Sequence, residues 1–268
     1  MKTIAANGLT FMTDSKGQGS HFLFITGTGG DLRNENSPLR SPLIDQFEVL
    51  TYDQRGMGQS EKPDHPYTMR DYAEDAVAIL DAYGWDDVFL AGYSFGGMVA
   101  QEIAIGWPER VKRLALLATS AGGQGGNSYP LETLIDLPDE ERARRVAEIA
   151  DLTFTPQWQA ENPEAAKQRT EDALAAQSQF ADEPNAKMGA RRQLAARMGH
   201  NTYDRLDRIT CPTLVISGTH DGLAPMDAQK AMASAISDCQ FEVVHGSHAM
   251  VWESSEVVFE RLIRFMQE

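Results

Sequence analysis

Cysteine is scarce in this 268-residue sequence, which contains only Cys211 and Cys239. Two cysteines are too few for a disulfide framework, and both lie beside apolar runs, so we expect them to fill core space in a reducing compartment. Long apolar runs are missing as well, since none approaches the roughly 20 residues that a membrane-spanning helix needs. Residues 1–14 lack the apolar stretch of a signal peptide. The sequence therefore predicts a cytoplasmic protein.

Basic residues are also in short supply, with 24 Lys and Arg against 39 Asp and Glu and a formal net charge of −15 at pH 7. A surface of this charge repels nucleic acids and anionic membranes, so we expect neither as a partner. The hydrophobic fraction of 42% is ordinary for a globular protein, and the length suits one large α/β domain. The sequence leaves the oligomeric state open.

Short apolar runs typical of buried strands alternate with segments of helical periodicity. Beyond the run that leads into Gly92, strands are predicted at residues 9–12, 21–26, 47–53, 114–119, 211–218 and 240–245. A capping box at Thr68 opens one predicted helix, and Pro225 opens another. This alternation predicts an α/β fold with a mostly parallel central sheet, helices on both faces, and ligand sites at the carboxyl ends of the strands.

The middle of the sequence breaks this alternation. Helices without a strong strand are predicted at residues 131–150, 163–180 and 184–199. We interpret residues 121–203 as a helical cap inserted into a core formed by residues 1–120 and 204–268. We expect its large apolar side chains to pack on the core, with direct contact to a substrate as the alternative.

The residues Gly92-Tyr93-Ser94-Phe95-Gly96 lie where an apolar run meets a helical pattern. A strand, a Gly-x-Ser-x-Gly turn and a helix together are typical of a nucleophile elbow. The sharp turn strains the central residue, and the flanking glycines allow the strand and the helix to approach closely. Ser94 is therefore the candidate nucleophile, at a helix N-terminus that favours developing negative charge.

A serine hydroxyl needs a base to take its proton and a carboxylate to orient that base. Among the six histidines, His248 follows the last predicted strand and is our first choice, with His245 as the alternative. Asp221 follows the preceding strand, whereas the alternative acid, Asp227, falls within a helix. The order Ser94, Asp221, His248 is that of the α/β-hydrolase arrangement.

A glycine loop, Gly27-Thr28-Gly29-Gly30, directly follows a predicted strand. Dinucleotide binding would require a long apolar helix after the loop, but residues 32–38 are polar and irregular, so we expect no cofactor. We also expect no metal. The loop is instead expected to expose the backbone N–H of Thr28, which would form an oxyanion hole with the N–H of Phe95.

A second glycine-rich turn covers residues 54–60. Asp53 directly precedes this turn, and Arg55 lies within it. Charged residues beside glycine turns usually serve structure. We therefore predict a local ion pair that holds this turn rather than a catalytic role for either residue.

The sequence resembles the α/β-hydrolases of the group that contains 3-oxoadipate enol-lactonases, cofactor-free haloperoxidases and related small esterases. The matching stretches are residues 52–60, 92–100, 212–218 with Asp221, and 246–248, and the resemblance covers nearly the whole chain except the cap. One departure is Thr26-Gly27, where the family often has His-Gly. Epoxide hydrolases and haloalkane dehalogenases place an aspartate at the position of Ser94, which sets this sequence apart from them.

The triad order and the resemblance imply a serine hydrolase that cleaves a carboxylic ester or lactone of a small molecule through an acyl-enzyme. The same residues could serve a carbon–carbon bond hydrolase or a cofactor-free perhydrolase. A third alternative is a small-ligand receptor of this fold with little turnover.

Overall fold

A single eight-stranded sheet organises the computed structural model, which describes residues 1–268. The strands are β1 (Lys2–Ala6), β2 (Leu9–Lys16), β3 (Ser20–Ile25), β4 (Phe47–Tyr52), β5 (Val88–Tyr93), β6 (Val111–Leu117), β7 (Thr213–Gly218) and β8 (Cys239–Val244). Their order across the sheet is β1-β2-β4-β3-β5-β6-β7-β8. The pairs β1–β2 and β2–β4 are antiparallel and the others are parallel, which confirms the predicted α/β fold with a mostly parallel sheet.

Strand β1 was not predicted. It pairs with β2 through a two-residue turn, Asn7-Gly8, in which both residues have positive φ angles of 45° and 73°. An Asn-Gly pair favours this type of hairpin turn, because both residues tolerate the left-handed conformation. The dipeptide was the signal in the sequence that identifies this hairpin.

Some helices lie on the two faces of the sheet, and the others belong to the stretch of chain between β6 and β7. They are α1 (Met69–Tyr83), α2 (Phe95–Gly106), α3 (Asp139–Ala150), α4 (Pro156–Glu161), α5 (Pro163–Ser178), α6 (Ala186–Met198), α7 (Met226–Ala235), α8 (Met250–Glu253) and α9 (Ser255–Gln267). The short helices α4 and α8 were not predicted. The capping box of α1 is present, since Thr68 and Asp71 each accept a hydrogen bond from the other's backbone N–H. No helix combines the length and the apolar character needed to cross a membrane.

Two apolar cores cover the two faces of the sheet. Helices α1, α2 and α7 pack on one face, and α9 packs on the other through Val258, Phe259, Leu262 and Phe265. Burial on both faces explains why the central strands are apolar throughout. Val257 on the same helix is 42% exposed and lies outside this core.

The predicted ion pair between Asp53 and Arg55 is wrong. Arg55 instead donates from Nε and NH2 to the carboxylate of Asp75 on α1, at 2.5 and 2.7 Å, and both side chains are buried. Asp53 accepts backbone N–H groups of Leu32 and Gln59 at 2.7 and 2.8 Å, and its burial raises the pKa of its carboxyl to about 7. Both residues therefore stabilise the turn, Asp53 through Gln59 within it and through Leu32, and Arg55 through Asp75 on α1.

Replacing the acid of this pair tests how much it contributes to stability. Asp75→Ala removes both hydrogen bonds to the buried Arg55 guanidinium and leaves only Asp71, at 3.6 Å, as a counter-ion, so we expect the free energy of unfolding to fall by about 3 kcal/mol in urea titrations. In the control, Asp81→Ala removes an acid that is 64% exposed and pairs with Arg110, and the expected loss is at most about 1 kcal/mol. Equal losses in the two variants would contradict a structural role for the buried pair.

Candidate active site

The sharp turn predicted around Ser94 joins β5 to α2. Ser94 has φ +54° and ψ −117°, a conformation that costs a non-glycine residue free energy. A methyl group added at Gly92 would lie 2.3 Å from the carbonyl oxygen of Gly96, and one added at Gly96 would lie 2.1 Å from that of Ile25. The two glycines are thus required because backbone lies where a side chain would be.

The structure brings Ser94, His248 and Asp221 together at the carboxyl end of the sheet. Nε2 of His248 lies 2.9 Å from Oγ of Ser94, and its Nδ1 lies 2.9 Å from both carboxylate oxygens of Asp221. The Asp221 carboxylate also accepts the N–H of Ala224 at 2.8 Å. With Nδ1–H donating to Asp221, Nε2 is the nitrogen that can accept the serine proton.

The alternative base and acid lie outside this arrangement. His245 is exposed, and its ring packs edge-on against the ring of His220 at a centroid distance of 5.1 Å. Asp227 is exposed on α7. Only the first-choice residues are joined to Ser94 by hydrogen bonds.

The loop that carries His248 is held from both sides. Tyr93, next to the candidate nucleophile, donates its hydroxyl to the carbonyl oxygen of His248 at 3.1 Å. Burial raises the pKa of the Tyr93 phenol, so this donor stays protonated. Ser247 donates from its N–H and its hydroxyl to Glu253 at 2.9 to 3.0 Å. Neither Tyr93 nor Glu253 was assigned a role from the sequence.

The glycine loop lies against Ser94. A methyl group added at Gly27 would be 3.2 Å from the Ser94 Cβ. The N–H of Thr28 makes no hydrogen bond within the chain. Phe95 is the first residue of α2, where N–H groups have no acceptor within the helix. The two donors predicted for an oxyanion hole therefore lie on the two segments that meet at Ser94.

The segment between β6 and β7, residues 121–203, is hydrogen-bonded to three loops: the loop that carries His248, the loop that carries Asp221, and the glycine loop. The bonds run from the N–H of His248 to the carbonyl of Ala150, from the N–H of Leu152 to the carbonyl of His220, and from the N–H of Gly29 to Oε1 of Gln193. We call residues 121–203 the inserted segment. None of these contacts was predicted, because backbone groups carry no signal in the sequence and the spacing of Gln193 relates to no motif.

A polar cavity lies beside α2 and is lined by Ser120, Glu132, Arg197 and His200 among others. Burial lowers the pKa of His200 to about 4, so its imidazole is neutral at pH 7. None of the residues discussed around Ser94 lines this cavity. No group of three or more His, Cys, Asp or Glu side chains is placed to hold a metal ion.

A methyl group at position 96 tests the close approach of α2 to β3. We expect Gly96→Ala to lower the free energy of unfolding by about 1–3 kcal/mol, because the methyl group overlaps the Ile25 carbonyl. Gly106→Ala, at the open end of the same helix, is expected to be neutral or to stabilise by up to about 1 kcal/mol. Urea titration of both variants measures the difference, and a Gly96→Ala variant as stable as the control would disprove the overlap.

Comparison with known proteins identifies the fold family. Residues 20–255 match the family model for the alpha/beta hydrolase fold. The chain is 29% identical over 248 residues to a poly(3-hydroxyalkanoate) depolymerase of Ectopseudomonas oleovorans, covering 92% of this chain and 84% of the depolymerase. It is 26% identical over 205 residues to 3-oxoadipate enol-lactonase 2 of Acinetobacter baylyi, covering 76% and 73% of the two chains.

Solved structures agree with this match. The enol-lactonase from Burkholderia xenovorans LB400 superposes with a TM-score of 0.81 at 22% identity over 100% of both chains, a similarity that concerns the fold. The resemblance to this group inferred from the sequence motifs is confirmed. The chain belongs to the alpha/beta hydrolase fold family.

Proposed function

We propose that this protein is a serine hydrolase that cleaves a carboxylic ester or lactone of a small molecule. The observation that carries the proposal is the unbroken chain of 2.9 Å contacts from Ser94 through His248 to Asp221. Two relatives are named for reactions of this class, a polyester depolymerase and an enol-lactonase. A lactone is a cyclic ester, so both names are consistent with attack of a serine on an ester carbonyl.

In the proposed reaction, Ser94 Oγ attacks the carbonyl carbon while His248 Nε2 takes the hydroxyl proton. The Asp221 carboxylate stabilises the imidazolium that forms. The tetrahedral intermediate then collapses, and the leaving alkoxide takes the proton from His248. Water attacks the resulting acyl-enzyme with His248 again as the base, which releases the acid and restores Ser94.

We propose that the N–H groups of Thr28 and Phe95 bind the oxyanion of the tetrahedral intermediate. Support comes from their positions beside Ser94 and from the absence of an internal acceptor for Thr28. The N-terminus of α2 adds a favourable dipole at the same point. One such donor is commonly worth about 10²–10³ in turnover.

The inserted segment is proposed to act as a helical cap, with residues 1–120 and 204–268 forming the core. The segment contains no strand, and its ends meet at a backbone bridge between Gly122 and Asn201. Its contacts with all three loops support a position over Ser94. The acyl and alcohol groups of the substrate would then be selected between the cap and the core.

Removal of the proposed nucleophile is the direct test. We expect Ser94→Ala to hydrolyse a short p-nitrophenyl ester or a small lactone at less than about 10⁻³ of the wild-type rate, because no other group can form the acyl-enzyme. A fluorophosphonate probe should label the wild type and not this variant. Ser178→Ala, which changes an exposed serine on α5, is the matched control. Substantial turnover by Ser94→Ala would exclude the proposed mechanism.

Paired substitutions test the base and the acid. We expect His248→Ala and Asp221→Asn each to lower kcat by a factor on the order of 10³–10⁴. The first substitution removes the base, and the second removes the carboxylate that holds the His248 imidazole in the tautomer with Nε2 free to accept a proton. His245→Ala and Asp227→Asn, in exposed neighbours, should keep near wild-type kcat. Steady-state kinetics on the same p-nitrophenyl ester provides the measurement. A reversed pattern within either pair would reassign that role.

A further inference from the structure

One side chain of the inserted segment is hydrogen-bonded to the glycine loop. Gln193 on α6 is fully buried, and its Oε1 accepts the N–H of Gly29 at 2.9 Å. Within the loop, the only backbone hydrogen bond runs from Gly30 to Gly27. That bond closes a turn around Thr28 and Gly29, in which Gly29 takes a positive φ of 72°. The Gln193 bond adds a second restraint on residue 29, from a partner 164 residues away in the chain.

The Gln193 amide is oriented so that its oxygen bonds to the loop while its nitrogen makes no hydrogen bond. With Oε1 turned to Gly29, the buried Nε2 has no partner. Turning the amide over would point an N–H donor at the N–H of Gly29 and break the bond. Buried donors without partners are rare and cost stability, and such exceptions are concentrated at functional sites.

The backbone of α6 that carries Gln193 is itself fixed against the core. A methyl group at Gly189, one turn earlier, would lie 1.9 Å from the carbonyl oxygen of Gly56, so the two backbones are in contact. Before α6, Glu183 pairs with Arg33 at 2.5 Å, and Arg33 follows the glycine loop. The guanidinium of Arg33 also lies over the ring of Phe180 at 3.6 Å. The helix and the loop are therefore positioned as one unit.

The bond to Gly29 acts on the adjacent donor through the backbone. It fixes the peptide group between residues 28 and 29, which directly follows the peptide group that carries the Thr28 N–H. Because successive peptide groups share only two soft dihedral angles, fixing one restricts the next. The Gln193 contact therefore restricts the direction in which the Thr28 N–H points.

We propose that Gln193 is a positioning residue for the oxyanion hole, acting through Gly29 on the Thr28 N–H. The inference rests on the proposed function, since it assumes that an oxyanion forms beside Ser94. It goes beyond that function by making the inserted segment part of the catalytic apparatus. Loss of Gln193 should weaken binding of the transition state while leaving binding of the ground-state ester nearly unchanged.

The test compares catalysis with binding of an oxyanion mimic in Gln193→Met, which keeps the side-chain length but cannot accept the Gly29 N–H. The mimic is a short-chain alkyl trifluoromethyl ketone. Ser94 Oγ bonds to its carbonyl carbon, the carbonyl electron pair becomes an alkoxide, and the serine proton passes to His248. We expect kcat on a p-nitrophenyl ester to fall about 10- to 100-fold, which does not exceed the effect of removing one oxyanion-hole donor completely. KM should change less than about threefold. The inhibition constant of the ketone should rise by the same factor as kcat falls.

Gln168→Met, on the exposed face of α5, is the matched control and should leave all three constants unchanged. If Gln193→Met does not fold, Gln193→Asn takes its place, because it keeps a buried amide that is one methylene too short to reach Gly29. An unchanged kcat, or a fall in kcat without weaker ketone binding, would overturn the inference. If the wild type hydrolyses neither esters nor lactones and Ser94 resists a fluorophosphonate, the proposed function itself fails, which separates the two failures.

Discussion

The close approach of α2 to β3 and β5 determines where the candidate active-site groups can lie. With backbone against backbone at Gly92 and Gly96, the chain must turn sharply at position 94 and hold its residue in a strained conformation. The strain is maintained because the sheet and the two apolar cores fix both ends of the turn. Ser94 is thereby directed away from the sheet, toward His248, and the first N–H groups of α2 are left beside it.

The sequence was informative wherever a local pattern has a local cause. Alternating apolar runs and helical periodicity predicted the central strands, and the glycines around Ser94 predicted the turn. His248 and Asp221 could be chosen because each lies in the loop after a predicted strand, and parallel strands bring their carboxyl ends to one edge. The choice of His248 over His245 rested on placing His245 in the last strand, but β8 ends one residue earlier, at Val244. The exposure of His245 separates the two histidines instead.

The features that escaped prediction depend on contacts between distant parts of the chain. Arg55 pairs with Asp75 because α1 packs beside the turn, and nothing at positions 53–60 indicates that partner. The contact between Gln193 and Gly29 similarly requires knowing how α6 lies on the core. Strand β1 is a different case, since its Asn-Gly turn is a local signal for a hairpin. The cytoplasmic location remains a prediction from the sequence.

The hydrogen bonds between the inserted segment and the loops differ in how strongly they restrict the residue type at each position. Those from His248 to Ala150 and from Leu152 to His220 use main-chain atoms only, so any residue except proline can supply the N–H and any residue the carbonyl. The bond to Gly29 requires a particular side chain. The inserted helices can therefore exchange much of their surface, and with it the shape offered to a ligand, without releasing the histidine and aspartate loops. Substitutions that change substrate specificity and the residues that preserve the reaction centre would then fall largely at different positions of the chain.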